Sequence, residues 1–169
     1  MDEIRLIFGG SGSGKSDFAE SLLSDSPEKI YLATMRRDKS AIRRIERHIR
    51  RRADKGFTTI ESTGDFSKAG IPEGSDVLLE DLPNLLADAM FLSDGGVCHD
   101  AYEKVVSDIE FLMKRSKRLI IVSDDIFESG TDYDPLTEEY MRELGRIHTF
   151  LAERGKVTEI IAGIRVDYN

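Results

Sequence analysis

The stretch Gly9-Gly10-Ser11-Gly12-Ser13-Gly14-Lys15-Ser16 carries the clearest chemistry in the chain. It fits G-x-x-x-x-G-K-[ST], in which glycines let backbone N–H groups close on phosphate oxygens. The lysine of that pattern reaches the β- and γ-phosphates, and the hydroxyl after it helps to hold Mg²⁺. A dinucleotide fingerprint is excluded, because Gly10 and Gly12 would need a third glycine where Lys15 stands. The metal needs a second, acidic partner at the end of another strand. Val77-Leu78-Leu79-Glu80-Asp81 supplies Glu80 as the first candidate, with Asp124 and Asp125 as rivals. Each of these carboxylates is equally suited to capping a helix or closing a solvated turn.

A second constellation lies between Arg36 and Lys55, where ten basic residues face three acidic ones. Ile42, Ile45, Ile49 and Ala53 fall on one side of a helix, which leaves the arginines on the other. His48 sits at the border of the two faces, with Arg44, Arg51 and Arg52 within a turn of it. Nearby cations disfavour protonation, so His48 would be neutral at pH 7 and free to act as a nucleophile, while Arg51 and Arg52 hold phosphates. The alternative is a bystander histidine on a solvated arginine face. The other histidines suggest less: Cys98-His99 lacks zinc-site spacing, and His148 has packed neighbours on its own helix.

These groups need a frame that brings them together. Ile4 to Phe8 reads as a buried strand running into the glycine loop, followed by a helix from Lys15 to Leu23. Further apolar runs at Ile30 to Ala33, Phe57 to Ile60, Val77 to Leu79, Leu119 to Val122 and Val157 to Val166 read as strands. Helices are expected near 39 to 54, 83 to 92, 99 to 115 and 135 to 153, with Asp134-Pro135 and Asp81-Leu82-Pro83 as start signals. The segments 62 to 75, 93 to 98 and 124 to 133 read as loops. The alternation predicts an α/β fold of the P-loop NTPase kind, a mostly parallel sheet with helices on both faces.

The length of 169 residues predicts one domain, residues 1–169. Apolar content of 40% against 33% charged argues for a globular chain rather than a disordered one. The start lacks a basic stretch leading into a long apolar one, which predicts neither export nor membrane insertion. A single cysteine, Cys98, excludes an intramolecular disulfide and suits the cytoplasm. The net charge of −8 is uneven: the 36–55 segment carries +7 and leaves −15 on the remainder. That division favours a small phosphate-bearing ligand over a long polyanion, and the basic segment has no aromatic residue with which to stack bases.

Taken together, the motifs resemble the bifunctional adenosylcobinamide kinase/adenosylcobinamide-phosphate guanylyltransferase family of cobalamin biosynthesis. The glycine loop looks like the family's G-G-x-x-S-G-K-S, and Tyr31-Leu32-Ala33-Thr34 looks like its Y-I-A-T. Arg44-Ile45-Glu46-Arg47-His48 looks like its R-I-x-x-H, whose histidine becomes guanylylated. Leu78-Leu79-Glu80 with Asn84-Leu85-Leu86 looks like its L-L-E and N-L-L, and Glu61 matches the acid of a W-x-T-x-E. The resemblance implies His48 as the covalent nucleophile and Thr34, Glu61 and Glu80 as nucleotide-binding residues. It also implies GTP or ATP with Mg²⁺, a corrinoid acceptor and no nucleic-acid partner; family members can be trimeric. The chain departs from the pattern at Ser123-Asp124-Asp125-Ile126-Phe127-Glu128-Ser129-Gly130, where the family has T-N-E-V-G-x-G. It departs again in the last helix, where Tyr140, Arg142, Gly145 and His148 replace F-x-D-x-x-G-x-x-N. Two other functions fit the residues alone: a P-loop kinase for another small hydroxyl-bearing metabolite, and a nucleotide-gated module that contacts nucleic acid through its basic helix.

Overall fold

The computed structural model describes residues 1–35, 55–127, 130 and 132–168. The helix expected over 39 to 54, with His48, Arg51 and Arg52, lies outside the described residues. Among the described residues, seven strands form one sheet in the order β3-β2-β4-β5-β1-β6-β7. These are β1 (Glu3–Gly9), β2 (Lys29–Ala33), β3 (Phe57–Glu61), β4 (Asp76–Glu80), β5 (Arg118–Asp124), β6 (Lys156–Ile161) and β7 (Ile164–Tyr168). All neighbouring pairs are parallel except β6 and β7.

The central strands are apolar on both faces because both are covered, as a parallel sheet requires. Ile7, Leu78, Ile120, Val122 and Ile160 pack on one side with Ala19 and Leu23 of the α1 segment (helix Lys15–Ser21). Leu6, Leu32, Leu79, Leu119 and Ile121 pack on the other under α2 (Leu82–Met90), α3 (Ala101–Arg115) and α4 (Pro135–Ala152). The expected α/β architecture with helices on both faces is therefore present. Both Asp-Pro start signals act as read. Asp81 accepts from the Asn84 N–H, and Asp134 accepts from the N–H groups of Leu136 and Thr137.

Three expectations need correction. The run from Val157 to Val166 is two antiparallel strands, reversed at Ala162-Gly163, where φ is 48° and 85°. A positive φ at both central positions is what a tight hairpin turn demands, and a lone glycine in an apolar run signals it weakly. The first helix ends at Ser21 rather than Leu23. The second ends at Met90 because Phe91 turns extended and bridges to Val97, which orders part of the expected 93–98 loop; likewise Phe66–Lys68 forms a 3₁₀ turn within 62–75. No described helix is long and apolar enough to cross a membrane.

Candidate active site

Strand register brings the chemistry to one edge. Gly9 pairs with Asp124, and Ala33 pairs with both Glu80 and Glu61. The carboxyl ends of β1, β2, β3, β4 and β5 therefore share one rim, the position at which open α/β sheets bind ligands. The glycine loop leaves that rim from β1. Its first residue must be glycine for room, since a Cβ on Gly9 would lie 2.3 Å from the Ile160 carbonyl oxygen. Gly14, at φ 96°, starts α1 in a left-handed conformation that L side chains resist.

The loop's polar groups meet partners from distant strands. Ser16 Oγ donates to Glu80 Oε1 at 2.7 Å, across 64 residues of sequence. The buried Lys15 places Nζ 2.7 Å from Asp124 Oδ1 and 3.1 Å from the Gly10 carbonyl. Ser13 Oγ is buried without a hydrogen-bond partner, the kind of orphaned donor that a phosphate oxygen completes. Two backbone bonds brace the loop from outside: the Asp125 N–H donates to Gly9 and the Gly163 N–H to Ser13.

Thr34 is fully buried, and its hydroxyl both donates to the Asp81 carbonyl at 2.7 Å and accepts from the Asp81 N–H at 2.8 Å. It therefore fastens β2 to the turn after Glu80, which sets where that carboxylate points. Glu61 is exposed at the end of β3, on the same rim. Asp81 is half-buried; desolvation, with Asp124 and Glu80 nearby, raises its carboxyl to about 6. Tyr140 donates to the Pro83 carbonyl, and burial pushes its phenol up, helped by Asp81 and Asp124.

Some partnerships emerge only here. Asp124, a rival candidate for the metal on sequence, meets Lys15 across the loop. His148 reaches 25 residues back to Ser123 Oγ at 2.7 Å, between the rings of Phe8 and Phe127. Burial pushes its imidazole down to about 4, so it is neutral. Its sequence neighbours suggested packing, but the partners come from β1 and the loop after β5. His99 pairs on the surface with Glu139. Among the described residues no group of three or more His, Cys, Asp or Glu is arranged to hold a metal ion. Mg²⁺ in nucleotide sites commonly takes only one or two protein ligands beside phosphates and waters, and the Ser16 and Glu80 oxygens fit that donor set.

A glycine loop between β1 and α1, with its lysine and serine met by carboxylates from adjacent strand ends, defines an α/β P-loop nucleotide-using enzyme. The family model for cobinamide kinase / cobinamide phosphate guanyltransferase matches residues 5–168, and the chain belongs to that family. It is 30% identical over 164 residues to the bifunctional adenosylcobalamin biosynthesis protein CobP of Pseudomonas aeruginosa, covering 94% of this chain and 93% of that one. To the bifunctional adenosylcobalamin biosynthesis protein CobU of Escherichia coli K12 it is 26% identical over 176 residues, covering 95% and 97%. Among solved structures it is similar to a prototypical ATPase from the type III secretion system of pathogenic bacteria. That likeness has 13% identity and a TM-score of 0.48, covers 99% of this chain and 57% of the other, and is too low to bear on fold or function. The chain is thus a kinase and nucleotidyltransferase of cobalamin biosynthesis by family.

Proposed function

We propose that residues 1–169 act as one nucleotide-binding domain that phosphorylates the aminopropanol hydroxyl of adenosylcobinamide and then transfers GMP to the product through His48. The observation that carries the phosphoryl-transfer half is the meeting of Ser16 with Glu80 and of Lys15 with Asp124 around one glycine loop. The acceptor rests on the family and its relatives.

In the first step the loop's N–H groups, with the Ser13 hydroxyl, grip the phosphates of GTP or ATP. Ser16 and Glu80 would hold Mg²⁺, which when bound supplies neutralising charge to the β- and γ-phosphate oxygens. The Lys15 ammonium, exchanging Asp124 for the γ-phosphoryl oxygens, stabilises the charge that develops as the bond to the nucleoside diphosphate breaks and the bond to the acceptor oxygen forms. Asp124, so released, stands beside it to take the acceptor's proton. Thr34 acts as a positioning residue by fastening the turn that presents Glu80.

In the second step a neutral His48 nitrogen attacks the α-phosphorus of GTP. The nitrogen–phosphorus bond forms as pyrophosphate leaves, and the acceptor's phosphate then displaces the histidine. Arg51, Arg52 and Glu61 would bind this nucleotide.

The test is incubation with GTP and Mg²⁺, denaturation at alkaline pH to spare an acid-labile nitrogen–phosphorus bond, and intact-mass measurement. A GMP adduct is expected in the wild type and absent in His48→Ala, while phosphorylation of the acceptor survives His48→Ala and collapses in Lys15→Ala. A wild type without the adduct overturns the guanylyl half, and phosphorylation that survives Lys15→Ala overturns the kinase half.

A further inference from the structure

The glycine loop has carboxylates on one side and, on the other, a mostly apolar shelf with no role yet assigned. Ile161 and Ile164 face one another across the Ala162-Gly163 turn as a cross-strand pair, so they project to the same face. They are 51% and 67% exposed. Tyr168 shares that face by the two-residue period of β7 and stacks on Phe8 with ring centroids 6.3 Å apart. Phe8 in turn lies 5.8 Å from the His148 ring, which meets Phe127 at 5.4 Å. Tyr168 and Phe127 are themselves exposed, so rings and branched hydrocarbon line the outer surface beside the loop, with the Glu159 carboxylate held among them by the Tyr168 hydroxyl.

This shelf is continuous with the phosphate site. The Gly163 N–H, in the turn between the two isoleucines, donates to the Ser13 carbonyl at 2.9 Å. The Asp125 N–H, two residues before Phe127, donates to the Gly9 carbonyl at 3.1 Å. Strand order then sets the direction of a bound nucleotide. β1, which delivers the loop, lies between β5 and β6. Ser16 meets Glu80 of β4 and Lys15 meets Asp124 of β5, so the β- and γ-phosphates belong on the β4–β5 side. A triphosphate anchored at that end carries its α-phosphate and nucleoside across β1, toward β6 and β7.

We propose that the Ile161–Ile164 turn, with Phe127, Phe8 and Tyr168, is the nucleobase subsite for the phosphoryl-donor nucleotide, holding the base by its flat face. This rests on the reading that the loop binds a nucleoside triphosphate. Hydrocarbon and ring surfaces engage the π-face that every base has, rather than the hydrogen-bonding edge that tells adenine from guanine. The subsite therefore accepts ATP and GTP alike as donors. Discrimination for the guanylyl step is left to residues elsewhere on the rim.

The test uses the full chain and the double variant Ile161→Ser/Ile164→Ser, whose exposed positions spare the core, with an unfolding curve to verify the fold. Affinities for ATP, GTP and inorganic tripolyphosphate are measured by titration calorimetry, and the donor KM and kcat are measured in the kinase assay. The variant is expected to bind ATP and GTP each about tenfold more weakly and tripolyphosphate within about twofold of wild type, with KM raised and kcat unchanged. Unchanged ATP and GTP affinities overturn the subsite. So does an equal loss for tripolyphosphate, which would mean that the turn supports the loop and not the base. A wild type that binds none of the three overturns the reading of the loop itself, a result distinct from either.

Discussion

Lowering the pH from 7 to 5 should cost the fold about 2 kcal/mol through His148 alone. The imidazole is half-buried between Phe8 and Phe127 and bonded to Ser123, and desolvation takes it from 6.5 down to about 4 against the opposing pull of Asp125. In the unfolded chain it takes up a proton near 6.5, whereas the folded chain resists until about 4. Below 6.5 the unfolded state thus binds more protons. Stability is full above that value, falls through the window, and is lowest below about 4. At about 1.4 kcal/mol for each pH step through that window, the loss is about 2 kcal/mol by pH 5 and about 3 kcal/mol near pH 4. His148→Gln keeps a hydrogen-bonding partner for Ser123 and removes the titration, at a cost in ring contacts that does not vary with pH. Urea unfolding of both proteins at pH 7, 6 and 5 measures the gap between them. The gap should move by about 2 kcal/mol in favour of the variant on going from pH 7 to 5. Curves that stay parallel to within ~0.5 kcal/mol refute a neutral, desolvated His148.

Three further outcomes follow from the site. Gly9→Ala places a Cβ against the Ile160 carbonyl and should lower stability by about 1 to 3 kcal/mol, with nucleotide binding lost, as read by chemical unfolding and calorimetry. Thr34→Val leaves the Asp81 N–H without its acceptor, while the Asp81 carbonyl keeps the Leu85 N–H, and should cost about 1 to 3 kcal/mol, largely recovered in Thr34→Ser; equal values for the two variants would show that shape and not the hydroxyl matters. Glu80→Gln should raise the Mg²⁺ concentration for half-maximal phosphoryl transfer by roughly tenfold while leaving nucleotide affinity without metal nearly unchanged.

Much of the frame was legible because its signals are local. Runs of Ile, Val and Leu marked strands that are buried on both faces, and Asp81 and Asp134 announced helix starts before a proline that cannot donate. The hairpin in the 157–166 run escaped because Ala162-Gly163 is the whole of its turn, with isoleucines on both sides. Asp124 could be placed at a strand end but not assigned to Lys15, since an aspartate there serves a metal, a cap or a lysine equally well. His148 gave no sign of its depressed basicity, because the rings that desolvate it come from β1 and from the loop after β5.

The amino-acid sequence by itself determined the phosphate loop, its lysine and hydroxyl, and the elements on either side, because backbone turn geometry and hydrophobic period are written within a few residues. Only the tertiary structure decided that Ser16 meets Glu80, that Lys15 meets Asp124, and that an apolar turn lies on the opposite flank of the loop. Those meetings depend on strand order, and strand order is set by which apolar faces pack best across the whole sheet, a property that no local stretch of the chain contains.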